Sequence, residues 1–106
     1  MTDKLLVLTT TGSESEARKI AEMLVERRLA ACVNVIPRIQ SVYRWQGRVE
    51  TAEEFLLIVK TVKSKEDQVQ AAIRESHSYE LPECISIPVE SGSAEYLRWI
   101  TESVET

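Results

Sequence analysis

The side chains that could do chemistry in this sequence are few. There is one histidine, His77, two cysteines, Cys32 and Cys84, and one lysine, Lys60, that closes an apolar run. His77 stands four residues after Ile73 and eight after Val69, so it falls under the apolar stripe of a helix as that helix ends. Imidazole is the favoured nitrogen ligand for Cu²⁺, while the plainer role is a ring that packs and hydrogen-bonds locally near a helix C-terminus. A strong metal site needs three or four ligands. One histidine would therefore need oxygen donors, of which Glu80 and Glu83 are nearest, or ligands from another copy of the chain. Cys32 and Cys84 lie far apart in apolar runs and read as small core hydrophobes, whose alternative chemistry is soft ligation of Cu(I). Lys60, with Thr61 beside it, either snorkels to solvent or presents a positive group to a cleft between subunits. Tyr43, Trp45, Tyr79 and Trp99 are packing residues with polar tips that want partners.

Other chemistries lack their parts. The three glycines, Gly12, Gly47 and Gly92, are scattered and cannot build a phosphate loop. No Cys-x-x-Cys or His-x-x-x-His occurs, and no acid, base and nucleophile stand at a diagnostic spacing. No catalysis and no organic cofactor are expected.

The elements that must hold these residues follow from periodicity. Lys4 to Thr11 is apolar and β-branched without a helical period, so it predicts a buried strand. Ser13 and Glu16 form an S-x-x-E capping box, and Ala17, Ile20, Ala21, Leu24 and Val25 supply the stripe of the helix that follows. Leu29 to Gly47 is the unusual stretch. It predicts a strand of roughly 16 residues, about three times the common length. Pro37 in its middle marks a bulge, a bend or an edge. Trp45-Gln46-Gly47 predicts a type I turn with a bulge, Gly47 taking the positive φ. After the polar residues Glu50 to Glu54, the run Phe55 to Val59 is apolar on both alternating faces.

Ser64 and Asp67 predict the start of a second helix striped by Val69, Ala72 and Ile73, and ending in Ser76–His77. His77 to Leu81 is its exit loop, because Pro82 cannot continue a helix. Cys84 to Val89 predicts a fourth strand, with Pro88 at an edge. Gly92 and Ser93 introduce a last helix whose Leu97, Ile100 and Val104 face inward. The order β-α-β-β-α-β-α predicts an α+β fold: a ferredoxin-like βαββαβ sandwich with an extra C-terminal helix and a long bent hairpin. Both crossover helices then share one face of the sheet, and the opposite apolar face needs a cover. A second copy of the chain is the expected cover.

The bounds agree with a single domain over residues 1–106. The net charge of −4 argues against nucleic acid as a partner. No run approaches about 18 apolar residues, so no membrane span is expected, and the absence of a signal segment makes the cytoplasm the expected compartment.

Five motifs in order resemble one family. They are L-A-A-C-V-N-x-x-P (29–37), S-x-Y-x-W-x-G (41–47), V-K-T (59–61), H-x-Y-x-x-P-E (77–83) and Y-L-x-W-I (96–100). Together they are similar to CutA, the divalent-cation-tolerance proteins. The resemblance implies a ferredoxin-like subunit in a tight homotrimer with the architecture of the PII signalling proteins, its hairpins clasping neighbours and its clefts lying between subunits. It implies copper or another divalent cation as the ligand, with His77 the leading metal residue and Cys32 an accessory. Where some members carry a cysteine near the end of the first strand, this chain reads Thr9-Thr10-Thr11.

Three functions follow as expectations. The first is a trimeric copper- or divalent-metal-binding protein of metal tolerance, with His77, Cys32, Glu80 and Glu83 as the metal residues and Tyr43, Trp45 and Trp99 at the trimer interface. The second is a PII-like sensor taking a small anion in a cleft of Lys60, Thr61 and Tyr79. The third is a structural scaffold.

Overall fold

In the computed structural model, which describes residues 1–105, the first strand β1 (Lys4–Thr11) leads into α1 (Glu14–Glu26). The arm follows as β2 (Cys32–Trp45) and β3 (Arg48–Val62), and then come a 3₁₀ turn (Lys63–Lys65) and α2 (Glu66–Ser76). The chain closes with β4 (Ile85–Pro88) and α3 (Ala94–Val104). The sheet has the order β2-β3-β1-β4, with every pair antiparallel. That is the ferredoxin-like order, and Pro88 lies on the edge strand as its missing N–H requires.

Residues paired across an antiparallel ladder share a face, so the registers sort the sheet into two sides. One side carries Val7, Leu57 and Val59, fully buried against Ala17, Ile20 and Leu24 of α1 and Val69, Ala72 and Ile73 of α2. The other side is not bare throughout. Helix α3 lies on it, packing Ile100 and Val104 against Val62 and Ala31. Beyond α3 this side stays open: Leu6 pairs with Ile87 and Leu8 with Ile85, and these isoleucines are 44% and 53% exposed.

Two of the three helix starts read from serines are capped as expected, with Ser13 Oγ accepting from the Glu16 amide and Ser93 Oγ from the Tyr96 amide. Three local expectations are corrected. Ser64 does not cap α2; a 3₁₀ turn precedes the helix, and its Lys63 amide is tied to the Asp3 carbonyl at 2.7 Å. The fourth strand is shorter than expected, so Cys84 precedes it and packs half-buried against the helix-side core. The hairpin turn is a two-residue loop closed by the Trp45–Arg48 pair, with Gln46 at φ 50 and Gly47 at φ 80. Both central residues at positive φ describe a type I′ turn, whose twist matches that of the flanking strands.

The arm is bent where Pro37 predicts it. Ile36 pairs with Leu56 and Ile39 with Glu54, so Pro37 and Arg38 oppose the single residue Phe55. This is a β-bulge, with Arg38 at φ 58. The extra residue inverts the parity of the strand. Before it, even-numbered residues of β2 share the open side of the sheet; after it, Ser41, Tyr43 and Trp45 do so, together with Glu54.

Candidate functional site

The inverted parity builds a cleft between the bent arm and the loop that follows α2. Its volume is about 570 Å³, within the usual range for a ligand site. The arm contributes Ser41, Tyr43 and Trp45 to one wall and Glu54 to the floor. The loop contributes Tyr79, Glu80 and Glu83 opposite, and Thr10 closes the end. Every carboxylate on this surface is a glutamate, and no lysine, arginine or histidine side chain lines it.

The loop is held from three directions. The Nε2–H of His77 donates to the Thr10 carbonyl at 2.6 Å, and its Nδ1 accepts from the Tyr79 amide at 3.1 Å. The Ser78 amide and hydroxyl both donate to the Glu16 carboxylate, at 2.7 and 3.1 Å. The acidic member of the expected capping box thus spends its carboxylate on a distant loop. Finally the Tyr79 hydroxyl donates to Glu54 Oε2 at 2.8 Å. Burial, reinforced by that carboxylate, pushes the Tyr79 hydroxyl far above the ordinary phenol range, which keeps it a neutral donor. Gly12 leaves room for this contact: a Cβ there would stand 3.1 Å from the Tyr79 hydroxyl.

These bonds fix what each sequence-predicted residue can do. The His77 side chain is 0% exposed, one ring nitrogen carries a proton and the other has its lone pair engaged. Metal ligation by His77 would require one of those bonds to break. Glu80 and Glu83 are exposed at the mouth of the cleft. Among the described residues no three of His, Cys, Asp and Glu come together closely enough to enclose one ion. No metal-ligating set is therefore assembled among the described residues of a single chain.

The other predicted residues lie elsewhere. Cys32 pairs with Lys60 at the opposite end of β3, six residues and roughly 20 Å of strand from Glu54. Lys60 Nζ lies 3.4 Å from the Tyr96 hydroxyl, and Tyr96 stacks tilted on Trp99 at 5.3 Å. Thr61 faces the other side, fully buried, and donates to the Leu29 carbonyl at 2.6 Å. Within one chain Lys60, Thr61 and Tyr79 therefore do not line a common cleft. Cys84 flanks a smaller hollow near Arg74, and burial raises its thiol; no disulfide forms.

Glu54 is the residue that sequence reasoning missed, grouped there with the polar stretch from Glu50. Its signal was present: it stands two residues before Leu56 and four before Ile58, on their face of an alternating strand.

With the geometry established, the chain can be set beside known proteins. The family of the CutA1 divalent ion tolerance protein matches residues 5–103. The divalent-cation tolerance protein CutA of Thermus thermophilus is 45% identical over 98 residues, which is 92% of this chain and 95% of that one. The protein CutA homolog of Xenopus laevis is 46% identical over 95 residues; this chain spans 90% of its own length there but 63% of the frog protein's. The solved structure of the periplasmic divalent cation tolerance protein CutA from Archaeoglobus fulgidus superposes with a TM-score of 0.94 at 43% identity, covering 96% of this chain and 99% of that one. Sequence, strand order and superposition agree, and the chain belongs to the CutA1 family of divalent ion tolerance proteins.

Proposed function

We propose that this chain works as a homotrimer in divalent-cation tolerance, binding Cu²⁺ or another divalent cation at the mouth of the cleft and catalysing no reaction. The observation that carries this reading is the charge of the cleft: three glutamates line it, two of them at its mouth, and no basic side chain among the described residues offsets them. Carboxylates Glu80 and Glu83 are the exposed donors there. His77 acts behind them as a positioning residue, because both of its ring nitrogens already hold the loop. The incomplete ligand set of one chain fits a site finished by donors from a neighbouring copy. The open side of the sheet, with Ile85 and Ile87 exposed, supplies an apolar surface for such a copy.

The unpaired Cys32 and Cys84 suit a reducing compartment, the cytoplasm in our reading, although the Archaeoglobus protein is called periplasmic. A PII-like sensor of anions ranks second. Its lysine, Lys60, lies far along β3 from a cleft whose charge would repel an anion.

Isothermal titration of Cu²⁺ into the protein tests the reading. The double variant Glu80→Gln/Glu83→Gln should lose at least about tenfold in affinity, since each change removes an anionic oxygen donor and its attraction for the cation. An unchanged titration would remove the mouth carboxylates from the metal site.

A further inference from the structure

Glu54 poses a problem that a divalent ion at the mouth does not solve. It is only 8% exposed, yet no lysine or arginine side chain lies within ion-pairing distance of it among the described residues. Tyr79 bonds one of its oxygens, and the other makes no hydrogen bond among the described residues and is open to solvent at the cleft floor. A carboxylate held by Tyr79 through one oxygen, with no counter-charge beside it, presents the other oxygen to a cation that enters the cleft. The surface above Glu54 adds two aromatic walls, Tyr43 and Trp45, the residues expected at the trimer interface, which are 43% and 41% exposed in the single chain. The space is also far larger than a bare ion fills, at about 570 Å³.

We infer that the floor of this cleft is a site for an organic cation of the guanidinium class, paired with Glu54 and stacked on Tyr43 and Trp45. A guanidinium is planar, matches a carboxylate in a two-pronged hydrogen bond, and is weakly enough hydrated to enter a partly apolar cleft. Its face is attracted to the π-systems of tryptophan and tyrosine. Tyr79 fixes the carboxylate from the far side, so Glu54 meets the ligand already oriented. The cation has two possible sources of identical chemistry. One is a free guanidine compound. The other is an arginine from a second copy, for which Arg38, Arg44 and Arg48 on the arm make no ion pair among the described residues of their own chain.

Ethylguanidinium chloride serves as the probe, titrated calorimetrically into the intact protein with butyrate as the anionic control. Saturable binding of ethylguanidinium and none of butyrate is expected. Glu54→Gln should weaken that binding by at least about tenfold. Trp45→Ala, which leaves the Tyr79–Glu54 bond in place, should weaken it several-fold and guards against a folding defect in the first variant. If the protein binds no probe until Arg38, Arg44 and Arg48 are changed together to glutamine, a neighbour's arginine is the native occupant. The inference is overturned if neither protein binds the probe, or if Glu54→Gln binds it like the parent. Copper titration separates this from the metal reading, because Glu80→Gln/Glu83→Gln should lose Cu²⁺ and retain ethylguanidinium.

Discussion

Tyr79 connects the loop to the sheet through one hydroxyl, and its ionisation reports on that connection. In the unfolded chain the phenol ionises near its ordinary value of about 10. In the folded chain burial and then the Glu54 carboxylate hold the proton on well past that point. Below about pH 10 both states keep the proton and the bond contributes fully. As pH climbs further, the unfolded chain releases its proton first and binds fewer than the folded one, so stability falls with rising pH. Tyr79→Phe should cost about 1.5–3 kcal/mol at pH 8, the range for a hydrogen bond to a charged group. The same variant should show a shallower alkaline decline. Urea unfolding of both proteins at pH 8 and pH 10.5 checks this, and parallel declines would show that Tyr79 is not the titrating group. The half-buried thiol of Cys84, raised by desolvation, should alkylate more slowly than a free cysteine at pH 8. Mass spectrometry after brief iodoacetamide treatment measures it, and rapid labelling would contradict the half-buried setting.

The hairpin arm shows how one irregularity redirects a whole element. The alternation S-x-Y-x-W is legible as one face of a strand, but which face it is depends on counting residues across the bulge. Pro37 announces an irregularity without stating its size. Only the register, with Pro37 and Arg38 opposite Phe55, shows that one extra residue turns Ser41, Tyr43 and Trp45 toward Glu54. The tip is a purer test of local conformation. No atom lies within 4 Å of a Cβ built on Gly47, so a substitution there meets only the backbone cost of its φ of 80. Gly47→Val should destabilise by about 1–2 kcal/mol, the penalty for a left-handed L-residue. Gly47→Asn should cost much less, because asparagine tolerates that region. Thermal unfolding distinguishes them, and equal losses would mean the turn is not type I′.

At the scale of the whole molecule the chain spreads more than its size requires. Its radius of gyration is 14.3 Å against about 13 Å for a compact domain of this length. Its accessible surface is 6842 Å² against about 6000 Å² for its mass. The excess belongs to the arm and to the side of the sheet that α3 leaves open. Under the trimer proposal, sedimentation at sub-micromolar protein should show one species of three chains. Ile85→Glu/Ile87→Glu should drive it toward monomer, since charge on an apolar interface must be desolvated. A parent that sediments as a monomer would refute the assembly, and a variant that stays trimeric would move the interface elsewhere.

The amino-acid sequence by itself determined the element order, the Ser13 and Ser93 caps, the helix stripes and the break at Pro37, because each is a short-range effect of periodicity, capping or a missing N–H. It also carried the family, through motifs whose spacing survives along the chain. Tertiary structure alone decided the site. Glu54, Glu16, Thr10 and the His77–Tyr79 loop come from separate segments, and the bonds between them depend on how those segments pack rather than on neighbours in sequence. The same packing that brings these segments together leaves Lys60 of β3 and its partner Cys32 of β2 at the far end of the ladder. A residue's type can be read locally, but the free lone pairs and counter-charges it retains are fixed only when distant segments meet.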